Sequence, residues 1–155
     1  MNLNAATGLV GHELIHLSLT SLISFFIYRR YHNWKLIIIC FIFGFFIDID
    51  HWFDYFLYFG TNFNLKNFFN VTSYVKTGGK VYIPLHGWEY IIIFAFLGRI
   101  IEKITKIPGI MWAVVFSYSA HLIFDNFSFP HHILSYSFIY RISNHFSQVS
   151  FDVPK

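Results

Sequence analysis

The sequence predicts an all-α fold: a polytopic membrane helical bundle with at least four transmembrane helices and a fifth or interfacial helix at the C-terminus. Three observations carry that expectation. Of 155 residues, 55% are hydrophobic and 23% aromatic against 12% charged, too little polar surface for a water-facing domain. Four apolar stretches each come near the ~20 residues that a helix needs to cross the hydrocarbon. Charge is also segregated: most Lys and Arg sit in the connections, whereas most acids sit with histidines inside or at the ends of the stretches.

The whole chain, 1–155, reads as one integral-membrane domain with spans at 12–31, 36–59, 84–101 and 109–127. The first is polar at its start and apolar from Leu17 to Tyr28. No Lys or Arg precedes Arg29, so it reads as a retained span rather than a cleaved signal. The second is one long apolar run from Leu36 to Phe59. The third opens on Pro84, a residue suited to the first helical position. The fourth follows Pro108-Gly109.

Residues 29–35 form a tight basic turn, and residues 99–106 carry Arg99, Lys103 and Lys106 against one Glu102. An excess of cations marks cytoplasmic loops, which puts the longer loop 60–83 and both termini outside. Within that loop, Ser73–Tyr82 reads as a hairpin turning at Gly78-Gly79 or as plain surface. In the tail, Leu134, Phe138, Ile142 and Phe146 recur at four-residue spacing, which suits an interfacial amphipathic helix or a short fifth core helix. His131, His132 and His145 read as surface imidazoles, and His32 belongs to the basic turn.

Two classes of function are excluded early. The net charge is +3, and no Lys/Arg cluster of the kind that holds nucleic acid is present. Cys40 is the one cysteine, so there is neither an internal disulfide nor a cysteine-based zinc site.

The polar residues inside the apolar stretches carry the functional argument. Asp48-Ile49-Asp50-His51 and Asp54 lie within the second stretch. Each Asp near a bilayer centre costs about 2.5–3.5 kcal/mol on insertion scales. No Lys or Arg lies between Lys35 and Lys66 to balance them. A metal cation is the simplest counter-charge. Six of the eight acids (Glu13, Asp48, Asp50, Asp54, Glu89 and Asp125) fall within or at the ends of the spans. Five of the nine histidines (His12, His16, His51, His86 and His121) accompany them, whereas the Lys and Arg residues within the span bounds, Arg29, Arg30 and Arg99, sit at the opposite, basic-loop ends.

Depth supports one site. At ~1.5 Å rise per residue, His16 lies ~22 Å from the basic end of its helix, and Asp48 and His51 lie ~18 and ~22 Å from theirs. His86 lies ~22 Å, and His121 and Asp125 ~18 and ~24 Å, from the corresponding ends. Antiparallel neighbours therefore put these groups in a common layer in the non-cytoplasmic half. Spacing agrees: His12/His16 and His121/Asp125 are i,i+4 pairs, and Asp48/His51 and His86/Glu89 are i,i+3 pairs, each on one helix face. Asp50 projects elsewhere than Asp48 and suits a second ion, and Asp54 sits one turn nearer the surface, behind the ligands.

Carboxylates and imidazoles without thiolates suit zinc first, then manganese or iron, and two or three divalent ions would absorb this much negative charge. The expected ligands are His12, His16, Asp48, Asp50, His51, His86, His121 and Asp125. Glu13, Glu89 and Asp50 are the candidate catalytic groups, either glutamate serving as general base. His12-Glu13-Leu14-Ile15-His16 also fits the H-E-x-x-H pattern of zinc peptidases.

Gly11-His12, Asp48-Ile49-Asp50-His51, a histidine motif opening a later helix, and His121-Leu122-Ile123-Phe124-Asp125, in that order, resemble the motifs of a bacterial inner-membrane family of metal-dependent hydrolases that includes a LexA-regulated member. The resemblance covers roughly residues 12–130. That family is distantly similar to zinc-dependent phospholipase C and single-strand nucleases, which are helical with a multi-zinc site. The resemblance therefore implies phosphoester hydrolysis at the inner membrane. The chain departs from the pattern at His86-Gly87-Trp88-Glu89-Tyr90, where many members carry His-Arg-Gly-x-x-His-Ser, and in the extra His16. Three readings stay open: a hydrolase acting on a lipid-like or surface-accessible phosphoester, with membrane lipid as neighbour; an intramembrane zinc protease built on His12, Glu13, His16 and an aspartate from the second stretch; and a metal-binding membrane protein without turnover.

Overall fold

The computed structural model describes residues 5–68, 78–128 and 132–151, and their regular structure is helical with no strand among them. The principal helices are α1 (Ala5–Tyr31), α2 (Lys35–Gly44), α3 (His51–Phe59), α4 (Leu65–Phe68), α5 (Glu89–Thr105), α6 (Ile110–Ser128) and α7 (Phe138–Ser143). A 3-10 segment, Phe46–Asp50, joins α2 to α3. α6 is the central element, packing on α1, α2 and α5, and α1 also packs on α2.

The second apolar stretch is not one rod. α2 ends at Gly44, Phe45 leaves helical geometry (φ −129°, ψ −48°), and the chain beyond it is bent by 50°. Close approach marks the break: a Cβ on Gly44 would lie 2.6 Å from Thr20 Oγ1 and 3.0 Å from the Ser117 Cβ. The Gly44 carbonyl is turned to a side chain, 3.2 Å from His121 Nδ1.

The third stretch also differs from expectation. Pro84–Trp88 is not helical and α5 starts at Glu89. Side chains from three other elements hold this loop instead. Asp54 accepts from the Tyr82 and Ile83 N–H groups (3.0 and 3.3 Å), and Asp50 accepts from Leu85 N–H (2.7 Å). The Tyr118 hydroxyl lies 2.8 Å from the Leu85 and Gly87 carbonyls and accepts from Gly87 N–H. A part-buried loop whose backbone groups are satisfied this way needs no helix.

Val10–Tyr31 is long and apolar enough to cross a membrane by itself, and Lys35–Gly44 with Phe46–Phe59 passes the same test as a bent pair; no other helix among the described residues does. α5 has 17 residues and carries Glu89, Arg99, Glu102 and Lys103. α6 interrupts its apolar run with Ser117, His121, Asp125 and Asn126. The outer faces are nonetheless apolar, with Leu22, Phe26, Ile42, Phe96, Ile104 and Phe127 exposed. His16, Asp50, Asp54, His86, His121, Asp125 and Arg141 are buried.

At the basic end, Ile27, Leu36, Cys40, Ile110, Ala113 and Val114 form one core cluster. α5 closes at Lys106 in the left-handed region (φ 58°), and Pro108-Gly109 leads into α6. Burial acts to raise the Glu102 pKa, but hydrogen bonds from Arg99, Gly109 and Met111 outweigh it and hold the carboxyl below its ordinary value. This acid in a basic connection thus serves the start of α6. Gly98 sets the spacing of the two helices, since a Cβ there would lie 2.8 Å from Met111 Cα, a backbone atom. Gly98→Ala is expected to destabilise the fold by about 1–3 kcal/mol through overpacking, read as a lower midpoint in thermal or denaturant unfolding.

The tail is not a long amphipathic helix. α7 has six residues, and Leu134 and Ile142 of the four-residue pattern are exposed, whereas Ser135, Tyr136 and Arg141 are buried. The tail is fastened by hydrogen bonds to the loop before α5: Val81 N–H to Phe146 O (2.8 Å), Trp88 N–H to Tyr136 O (2.8 Å) and Trp88 Nε1 to Ile133 O (2.8 Å). Residues 69–77, with the first half of the hairpin expected at Ser73–Tyr82, lie outside the described residues; Lys80 makes a single antiparallel bridge with Ser147.

Candidate metal centre

α1 supplies His12 and His16, one turn apart on one face. Both Nε2 atoms reach the same oxygen, Asp125 Oδ1 on α6, at 3.0 and 2.8 Å. One turn before Asp125 on the same helix, His121 places its Nε2 3.2 Å from the other oxygen, Asp125 Oδ2, and His86 Nε2 lies 3.4 Å from it. The Asp125 carboxylate therefore stands between two sets of imidazoles, one oxygen toward each.

The 3-10 segment supplies the opposing wall. Asp48 Oδ1 lies 3.2 Å from His86 Nε2, 3.4 Å from His121 Nε2 and 3.6 Å from His51 Nε2. Asp50 Oδ2 lies 2.9 Å from His86 Nδ1. Three overlapping groups result: Asp48, His86, His121 and Asp125; His12, His16 and Asp125; and Asp50, His51 and His86. In each, one ligand atom per residue lies within 4.8 Å of the others. All eight residues expected as ligands are thus brought together.

No protein-family model, no curated protein and no solved structure matches the chain.

The partners of the imidazole nitrogens and of two carboxylate oxygens suit a cation here. His86 Nδ1 faces Asp50 and His121 Nδ1 faces the Gly44 carbonyl. Both partners are acceptors, so with a single proton on Nδ1 each ring turns an Nε2 lone pair inward, toward Asp48 Oδ1 and Asp125 Oδ2. Those two Nε2 atoms are 3.1 Å apart. Two lone pairs at that distance repel unless a positive charge lies against them. Asp48 Oδ2 and Asp50 Oδ1 are buried without a hydrogen-bond partner among the described residues. A buried, unpaired carboxylate oxygen is costly, and a divalent ion satisfies it. The donor set of imidazole nitrogens and carboxylate oxygens is chemically suited to such an ion.

The candidate bases separate. Glu13 is half-buried on α1 and interacts electrostatically with Asp48, His12, His51 and His121, so it stands beside the cluster. Glu89 does not join it. Its carboxylate accepts from the Ser137 hydroxyl and from the N–H groups of Phe138 (3.0 Å) and Ile139 (3.3 Å), capping α7. The i,i+3 pairing expected for His86 and Glu89 fails because His86 precedes the helix. Asp54 lies behind the cluster, holding the loop. An apolar groove of about 620 Å³ between α1 and α6, lined by Ile23, Phe26, Trp112 and Phe116 among others, contains none of the eight residues.

Sequence reasoning missed Arg141. It is fully buried, and its guanidinium donates to the carbonyls of Tyr82 (2.5 Å), Ile83 (3.0 Å) and His86. Burial lowers its pKa below the ordinary value, and the charge of Asp50 offsets part of that shift. It is a resident cation near the acids, contributed by the tail, where the apolar spacing gave no sign of it. One positive charge does not balance Asp48, Asp50, Asp54 and Asp125.

Proposed function

We propose that the chain is a polytopic protein of the bacterial inner membrane that holds two or three divalent ions, zinc in preference to manganese or iron, and hydrolyses a phosphoester on the non-cytoplasmic side. The observation that carries this reading is the carboxylate of Asp125, shared by two ligand groups that draw on four separate parts of the chain. An inside-out distribution, with charged side chains buried and apolar ones exposed, supports the membrane setting. The phosphoester class rests on the likeness of the motifs to the hydrolase family.

Ions bound there would polarise a phosphoryl oxygen and make a water acidic enough to attack near neutral pH. His12, His16 and Asp125 would hold one ion, and Asp48, His86, His121 and Asp125 another, with Asp50 and His51 completing a third group or orienting His86. Glu13, beside the cluster, accepts the proton of the attacking water at its carboxylate. His12, Asp48 and His51 are less buried than the other ligands, and exposed Val10, Leu14, Ile49 and Trp52 neighbour them in the chain. This arrangement favours an amphiphile that arrives from the lipid with its headgroup toward the ions.

The test is to purify the chain in detergent, count metals per chain, and assay a chromogenic phosphodiester in mixed micelles. Two or more ions, lost together with turnover in Asp48→Ala, support the proposal. A folded, active protein that is metal-free and indifferent to chelators would sink it. One ion that depends on His12 and His16 but survives His121→Ala would favour the peptidase reading, for which the grouping of His12, His16 and Asp125 beside Glu13 is the specific support.

A further inference from the structure

We propose that Arg141 positions His86 for metal binding: its buried guanidinium grips the carbonyls of Tyr82, Ile83 and His86, and so fixes an imidazole that two of the three ligand groups share. The inference rests on the metal-centre reading above and assigns a task to the tail.

His86 needs such a device. Every other ligand sits on a helix or the 3-10 segment, whose own hydrogen bonds fix its direction. His86 sits in a loop. Around it, donors and acceptors are taken from opposite sides. Asp50 and Asp54 collect the N–H groups of Tyr82, Ile83 and Leu85, and Asp50 also holds His86 Nδ1. Arg141 collects carbonyls that these carboxylates cannot serve. A buried guanidinium is expensive to desolvate, and here it is repaid by carbonyl contacts and by the nearby charge of Asp50. A planar fork with five donors can span three carbonyls, whereas the ammonium of lysine is a compact point charge. The Ser137, Phe138 and Ile139 bonds to Glu89 fix where α7 begins and hence where Arg141 enters.

The experiment titrates the full chain in detergent with Co(II), whose absorption reports its coordination, and compares Arg141→Met and Arg141→Lys with the reference variants His86→Ala and His12→Ala. In Arg141→Met, the ions that His86→Ala loses are expected to bind about 10–100-fold more weakly, the usual cost of removing support behind a ligand. The ion that His12→Ala loses is expected to stay within about threefold. Arg141→Lys should fall between Arg141→Met and the natural chain; if Arg141→Met does not fold, Arg141→Lys decides on the same criterion. Equal weakening of both classes of ion, or of neither, overturns the proposal while the metal centre stands. A natural chain that binds no Co(II) overturns the metal centre, and this inference with it.

Discussion

Asp125→Ala is expected to empty both ligand groups that share its carboxylate, where His12→Ala empties only one. The reason is the placement of its two oxygens. Oδ1 faces His12 and His16, and Oδ2 faces His86 and His121. No other side chain belongs to both of those groups. Removing it takes one donor from each and a negative charge from between them. Lewis-acid stabilisation is worth several kcal/mol of a hydrolytic barrier. At about 1.4 kcal/mol per factor of ten, turnover should fall by about a thousandfold or more. Asp125→Asn is the sharper comparison. It keeps the shape but offers one acceptor oxygen and an amide that donates, so it can serve one group and must repel ions from the other. Metal analysis and phosphodiesterase assays on the two variants check this. Full metal content in Asp125→Asn would show that the carboxylate is not shared.

The second large effect concerns stability. Chelation should lower the thermal midpoint of the natural chain by about 5–10 °C and leave Asp125→Ala nearly unmoved. An ion at a hundred times its dissociation constant stabilises the folded state by about 2.7 kcal/mol, and each kcal/mol is worth about 2–4 °C in a chain of this size. The sign follows from the apposed Nε2 atoms of His86 and His121 and from the unpaired oxygens of Asp48 and Asp50. Without a cation these groups repel or go unsatisfied. Zinc added back should restore the midpoint. A midpoint indifferent to chelator in the natural chain, under conditions where metal analysis shows the ions gone, would mean that the cluster is satisfied by protons alone.

Much of the cluster could be read before any coordinates. Acids and histidines in apolar stretches stand out because hydrocarbon tolerates so few of them, and the four-residue spacings of His12/His16 and His121/Asp125 survive because α1 and α6 are regular there. The errors share one cause, long-range bonds that a local pattern does not carry. Gly44 is the only local hint that the run 36–59 breaks; what turns its carbonyl aside is His121, far away in sequence. Pro84 suits a helix start equally well in a loop, and the loop wins because Asp50, Asp54 and Tyr118 already serve its backbone. Glu89 looked like a partner for His86 only if both lay on a helix. In the tail, the apolar spacing drew attention to Leu134 and Ile142, which are exposed, whereas the buried residues between them include the charged Arg141. The helical class needed only composition and the length of the apolar stretches.

The 3-10 segment Phe46–Asp50 has a consequence for the phase of the chain beyond it. At three residues per turn it winds ~120° per residue, against ~100° in an α-helix. Over its five residues the difference accumulates to roughly a quarter-turn, with ~2.5 Å of extra advance. A substitution that let this stretch relax into a continuous α-helix would therefore act as a screw misalignment. Asp54 would swing off the Tyr82 and Ile83 amides, although no ligand had been altered.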